Sequence, residues 1–163
     1  MLHEQICHIC LSYMYHHSLQ GWVKCPSCSF MKKKGISMIS AEEVLMGRIK
    51  LEDLSPELRA NLDDLLVKLN KFRAEYGIPM YVVSGYRTPE INDATSNSGK
   101  KSAHLTCQAC DFSDSDNKIK EFIVKDPDIL VRCDLYMEAP ESTPTWTHLS
   151  NRPPKSGNRI FKP

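Results

Sequence analysis

"SAHLTCQACD", residues 102–111, places a histidine, an aspartate and two cysteines within ten positions, and its reading decides the fold. Three readings fit these residues taken alone: a metal site built on His104 and Asp111, a redox or zinc-binding pair in Cys107 and Cys110, or an ordinary strand with polar ends. On one straight strand His104 and Asp111 would stand about 23 Å apart, at about 3.3 Å per residue. Joint metal ligation therefore demands a turn between Leu105 and Gln108, with His104 at a loop end and Asp111 on the strand behind it. The strand's period of two then sends Asp111 inward with Cys107 and Ala109 and turns Cys110 the other way. A third ligand is needed, and "TWTHLS", residues 145–150, offers His148 as part of a further strand.

Upstream, "MYVVSGYR" (80–87) reads as a short buried strand that delivers Ser84, Gly85, Tyr86 and Arg87 into a turn. Before it, "LSPELRANLDDLLVKLNKFRAEYGIP" (54–79) is the clearest helix of the chain. Ser55 suits its N-cap, Pro56 its first turn and Gly77-Ile78-Pro79 its stop. Leu58, Leu62, Leu65, Leu66, Leu69 and Phe72 recur at helical spacing, which makes a core-facing stripe. Ser40 and Glu43 have capping-box spacing ahead of another short helix with Val44, Leu45 and Met46.

Downstream of the turn, Thr88 and Pro89 start a helix, and "TSNSGKKSAH" (95–104) reads as a loop. "SDSDNKIKEFIVKD" (113–126) reads as a capped amphipathic helix stopped by Pro127. "ILVRCDLYME" (129–138) reads as a strand, and the basic, proline-rich tail from Asn151 as a segment held on the surface. Helices and strands mix without regular alternation, so the expected class is α+β with a mainly antiparallel sheet and flanking helices.

The composition bounds the function. Hydrophobic residues make up 41% and charged residues 25% of 163 residues, which suits one ordinary domain with a small appendage. A net charge of +1 gives no general drive toward nucleic acid or anionic membranes. There is no apolar run of about 18 residues to span a bilayer, and the N-terminus lacks the apolar core of a signal peptide. Synthesis in a reducing cytoplasm is therefore expected, where cysteine pairs point to metal binding rather than disulfides.

The appendage is residues 1–36, ahead of a main domain at 37–163. It carries Cys7 and Cys10 in "CHIC" and Cys25 and Cys28 in "CPSC", with fourteen residues between the two pairs. Two such knuckles can aim four thiolates at one structural zinc, so a small four-cysteine zinc ribbon is expected. Three net positive charges fall to about one once four thiolates hold a dication, too few for strong phosphate binding. A structural or docking role is the better reading of the ribbon.

Taken in order, Ser84-Gly85-Tyr86-Arg87, then Ser102-x-His104-x6-Asp111, then Trp146-x-His148-Leu149 resemble the zinc peptidases of the D-Ala-D-Ala carboxypeptidase and L-alanyl-D-glutamate peptidase group. That group shares its fold with Hedgehog signalling domains. The resemblance runs from about residue 38 to residue 163 and implies a Hedgehog/DD-peptidase-like domain. It implies His104, Asp111 and His148 as ligands of a catalytic zinc, Arg87 as the residue that binds substrate or steadies the reacting carbonyl, and Ser102 as a substrate-side serine. Two imidazoles and one carboxylate leave a fourth zinc position open, and the metal polarises a carbonyl and acidifies water.

Two positions depart from the family pattern. Cys107 stands where relatives often carry a glycine: where that glycine supplies a positive-φ turn, Cys107 strains it, or else Cys107 or Cys110 approaches the metal as a softer ligand. Thr145 stands where many relatives place an acidic general base, three residues before the last histidine. Glu138, at the end of the "CDLYME" stretch, is then the expected base, delivered by a hairpin-like return, with Glu141 solvated in the turn.

The resemblance thus implies a zinc metallopeptidase that cleaves peptidoglycan stem peptides, of phage endolysin or virion-associated type, reaching the cell wall after lysis or virion delivery. The rival reading is a non-catalytic zinc-binding structural or tail-assembly protein of the same fold. A nucleic-acid binder is disfavoured by the charge.

Overall fold

The structure, a computed structural model, describes residues 37–96 and 98–163 in full. It also describes three short strands nearer the N-terminus: β1 (Glu4–Ile6), β2 (Tyr13–His17) and β3 (Gly21–Trp22). These form an antiparallel sheet in the order β1-β2-β3. Cys7, Cys10, Cys25 and Cys28, on which the expected ribbon rests, lie outside the described residues.

The main body begins with α1 (Ala41–Leu45), where the Ser40–Glu43 capping box forms as the sequence predicts. Then comes α2 (Pro56–Tyr76), capped by Ser55 and ended by Gly77 at φ 72°. Leu62, Leu65, Leu69 and Phe72 of α2 are fully buried, and each side chain contributes roughly 1.5–3 kcal/mol by leaving water. Polar residues of α2 also tie down what lies over it. Asn70 donates to the carbonyl of Ile39 (3.0 Å) and accepts from its N–H (2.8 Å), which docks the start of α1. Asn61 donates to the carbonyl of Thr106 (3.1 Å), and Asp64 accepts from Asn151 (2.6 Å).

The chain continues through β4 (Val82–Ser84), α3 (Pro89–Ala94), a 3-10 helix (Ala103–Thr106) and β5 (Ala109–Ser113). It closes with α4 (Lys118–Lys125), α5 (Asp128–Arg132), β6 (Tyr136–Glu138), β7 (Trp146–Ser150) and β8 (Ile160–Phe161). The five-stranded sheet has the order β4-β5-β7-β6-β8, antiparallel except for the parallel pair β6–β8. This is the expected mixed α+β body. No helix among the described residues is long and apolar enough to cross a membrane.

Two elements differ from the sequence reading. Residues 128–132 form α5 and not the first half of a strand. Ile129, Leu130 and Cys133 are buried while Val131 and Arg132 face solvent, which is a helical period and not alternation. The tail is not merely held on the surface: Ile160 and Phe161 join the sheet, and the Met137 and Ala139 N–H groups donate to the carbonyls of Arg159 (2.8 Å) and Phe161 (2.7 Å).

The sheet has two unlike faces. Cys110, Leu149, Met137 and Ile160 are cross-strand neighbours in one row, and all are core or core-packed residues. The next row holds Ser84, Asp111, His148, Glu138 and Phe161, and faces the other way because side chains alternate along each strand.

Candidate metal centre

Sheet register alone aligns most of the site. Asp111 on β5 lies directly opposite His148 on β7, and the pairing of Met137 with Leu149 brings Glu138 alongside His148. His104 arrives from above the sheet on the 3-10 helix. The Ser102 hydroxyl caps that helix by accepting from the His104 N–H (3.4 Å), and Asn61 of α2 pins its end. The turn expected between Leu105 and Gln108 closes through Cys107 at φ 55°, a left-handed conformation that explains why a glycine would suit this position.

His104, Asp111 and His148 are all buried, and one potential ligand atom from each lies within 4.8 Å of the others. Nδ1 of His104 is 2.7 Å from the carbonyl oxygen of Gly85, which leaves Nε2 facing Asp111 Oδ2 at 3.4 Å. His148 turns Nδ1 toward Asp111 Oδ1 at 2.7 Å and Nε2 toward Glu138 Oε1 at 3.9 Å. The two imidazoles meet edge to face, with centroids 5.2 Å apart. Tetrahedral zinc with bonds of about 2.0–2.1 Å separates its ligand atoms by roughly 3.3 Å. The observed spacings bracket that value, and two imidazole nitrogens with one carboxylate oxygen are donors that suit zinc. The Gly85 carbonyl, by engaging Nδ1, orients the His104 ring in the manner of an outer-shell partner.

The electrostatics agree with a cation site. Burial works to raise the Asp111 pKa, but hydrogen bonds and charge from His104 and His148 outweigh it and hold the carboxyl well below the usual carboxylate range. Asp111 Oδ2 also accepts from Arg87 Nη2 (3.2 Å). The Arg87 guanidinium is steadied by two bonds to Ser84 Oγ, from Nε (3.1 Å) and Nη2 (3.0 Å).

The turn that carries Arg87 is itself held from outside. The Tyr86 N–H donates to the Val44 carbonyl (2.8 Å), and Arg48 Nη1 donates to the Tyr86 carbonyl. A Cβ on Gly85 would overlap the Val44 carbonyl, so glycine is required here for close approach.

The other candidates fall around this centre. Glu138 has a side chain 21% exposed at its edge. Glu141 is at the surface, paired with Lys162 at 3.2 Å. Cys107 and Cys110 are buried free thiols outside the ligand cluster. Burial raises the Cys107 thiol to about 11 and pushes Cys110 well above its ordinary value.

Sequence reasoning missed three contributors. They are Ser84 as a clamp on Arg87, the Gly85 carbonyl, and Phe161, whose ring meets His148 edge-on at 6.5 Å. Phe161 also lines a surface groove of about 550 Å³ with Ala139, Pro140, Glu141, Asn158 and Lys162. Ser84 and Gly85 had a sequence signal, their place in the motif that ends at Arg87, and Phe161 had none.

Neither curated proteins nor solved structures give a significant match to the chain. A model of the family Peptidase M15 matches residues 39–125, more than half of the 163-residue chain. The match takes in Arg87, His104 and Asp111 and stops short of His148, which the sheet register then supplies. Because that match spans more than half of the chain, the chain belongs to the Peptidase M15 family.

Proposed function

We propose that the protein is a zinc-dependent peptidase that cleaves the stem peptides of bacterial peptidoglycan, in the role of a phage endolysin or virion-associated lysin. The observation that carries this reading is the convergence of His104, Asp111 and His148 beside a clamped Arg87, in a chain of the Peptidase M15 family. His104, Asp111 and His148 hold the catalytic zinc, which when bound supplies Lewis-acid polarisation of the scissile carbonyl and makes water a better nucleophile. Arg87 binds substrate through a planar fork of donors that suits a carboxylate or a developing oxyanion. Ser102 holds the His104 backbone and serves as the substrate-side serine. Glu138 is the general base: its carboxylate accepts the proton of the attacking water and returns it to the leaving nitrogen. It is the carboxylate nearest to His148 after Asp111.

Cys7, Cys10, Cys25 and Cys28 hold a second, structural zinc, and the ribbon docks to a virion or phage protein. Its folding energy is metal energy. Carefully reconstituted protein should therefore contain two zinc ions per chain, and elemental analysis giving one or fewer removes the two-site reading.

The deciding experiment is digestion of purified cell walls by the zinc-loaded full chain, with the released peptides identified by mass spectrometry. The expected result is new peptide termini that disappear with chelator and return with zinc. Zinc bound stoichiometrically with no bond cut would make the protein a non-catalytic zinc-binding member of the fold.

A further inference from the structure

A second arginine, Arg48, stands against the turn that carries Arg87, and neither the ligand set nor the base uses it. Arg48 leaves α1 through two left-handed steps, Met46 at φ 55° and Gly47 at φ 68°, and its N–H donates to the Leu45 carbonyl (3.0 Å). The segment from Val44 to Arg48 thereby brackets the turn from Gly85 to Arg87. Val44 accepts from Tyr86, the Gly85 N–H lies 3.1 Å from the Met46 sulfur, and Arg48 Nη1 donates to the Tyr86 carbonyl. Arg48 is therefore fixed beside the residue that precedes Arg87 in the chain.

The donors left over are informative. Arg87 spends Nε and Nη2 on Ser84 and Asp111, which leaves Nη1 unengaged among the described residues. Arg48 spends Nη1 on Tyr86, and no carboxylate among the described residues pairs with it. Burial, followed by the charge of Arg87, lowers the Arg48 pKa, so the two cations feel each other in a partly desolvated place. A brace for one carbonyl needs a single donor and no charge. Two neighbouring guanidinium groups with free donors, of which only Arg87 has an acid partner, itself committed to the ligand cluster, are stabilised by an anion that both can reach.

We propose that Arg48 is a second carboxylate-binding residue of this site, forming with Arg87 a two-guanidinium receptor for an acidic peptide whose free carboxylate lies within one residue of the amide presented to His104, Asp111 and His148. The inference rests on the peptidase reading only for the ligand being a peptide. It makes Arg48 a determinant of substrate choice: peptides that carry that carboxylate bind well, and their neutral amides bind poorly. A hydrogen bond to a charged group contributes about 1.5–3 kcal/mol, which corresponds to roughly ten- to hundredfold in affinity for the pair of peptides.

The test uses the zinc-loaded full chain and two pairs of probes: N-acetyl-D-Ala-D-Ala with its C-terminal amide, and N-acetyl-L-Ala-D-Glu with its fully amidated form. Binding is titrated calorimetrically at low temperature, and turnover is followed separately by mass spectrometry. In the wild type, at least one acid should bind about tenfold or more tightly than its neutral partner. Arg48→Met should remove most of that preference, weakening binding of the acid far more than binding of its neutral amide. Arg48→Lys keeps a donor for the Tyr86 carbonyl but loses the planar fork, so it should fold normally and still lose part of the preference, and it carries the test if Arg48→Met does not fold. No acid preference in the wild type overturns the proposal, as does a preference that survives in both variants. An Arg48-dependent acid preference without any turnover would instead leave the receptor standing and remove the peptidase reading.

Discussion

Asp111 Oδ1 lies 2.7 Å from His148 Nδ1 because the two residues are directly opposed on neighbouring antiparallel strands, both buried. Two candidate ligands that are 37 positions apart in the chain are thus fixed by main-chain hydrogen bonds of the ladder and not by a loop. Such a pair is pre-organised, so metal binding needs no rearrangement of backbone.

Asp111→Asn should leave the fold intact and lower zinc affinity by orders of magnitude, read by competition with a chromophoric chelator. The same substitution has a signature in the metal-free protein. The Asp111 pKa is depressed in the folded state, so its contribution to stability is fully present above the unfolded value. It is lost as pH falls through the lower folded value. Denaturant unfolding followed downward from pH 5 should show a steeper loss of stability in wild type than in Asp111→Asn, and equal slopes would contradict the assignment.

Arg87→Lys should reduce kcat/KM by about 10²-fold, the scale of one lost transition-state donor, with stability changed by no more than about 1 kcal/mol. A lysine cannot hold Ser84 Oγ and Asp111 together with a flat fork as Arg87 does. Kinetics and thermal unfolding on one preparation check both halves. A melted protein with normal turnover would make Arg87 a brace.

Glu138→Gln should keep zinc and fold but lose about 10²–10⁴-fold in hydrolysis. Glu141→Gln should change little, since Glu141 is exposed beside Lys162. Turnover and metal content of the two variants, measured side by side, separate them.

Lys120→Met tests a buried clasp beneath β7. Lys120 Nζ donates to the carbonyls of Thr143 (2.7 Å), Pro144 (3.2 Å) and Trp146 (3.2 Å), and lies 3.8 Å from Asp114 Oδ2. Asp114 in turn accepts from the Ile119 and Lys120 N–H groups and from the Thr147 hydroxyl. Losing the cation leaves a buried carboxylate and three carbonyls short of a partner, at a cost of about 3–5 kcal/mol by urea unfolding.

Gly85→Ala should weaken zinc binding without touching a ligand. The added methyl would press on the Val44 carbonyl, displacing the turn whose Gly85 carbonyl orients His104. A zinc titration unchanged from wild type would show that the turn can give way freely.

Much of this was legible in the chain. The leucine stripe of α2 and its Ser55 and Gly77 boundaries follow from helical period and capping chemistry, which are local and survive any tertiary context. The Ser40–Glu43 box and the turn required between His104 and Asp111 are local in the same sense. The strand expected from Ile129 was not legible, because a short apolar run has no decisive period until burial shows which side chains face inward. Nor was the place of Phe161, since a two-residue strand leaves no pattern of its own.

The sequence by itself determined the residue types for a zinc site and the elements that bear them, because ligand chemistry, capping and periodicity depend on near neighbours. Only the tertiary structure decided that Asp111, His148, Glu138 and Phe161 share one row of the sheet, that Gly85 offers its carbonyl to His104, and that Arg48 stands beside the Arg87 turn. Those relationships come from strand register and from the close packing of α1 on Gly85, and long-range pairing of that kind is set by the whole core and not by any segment of the chain.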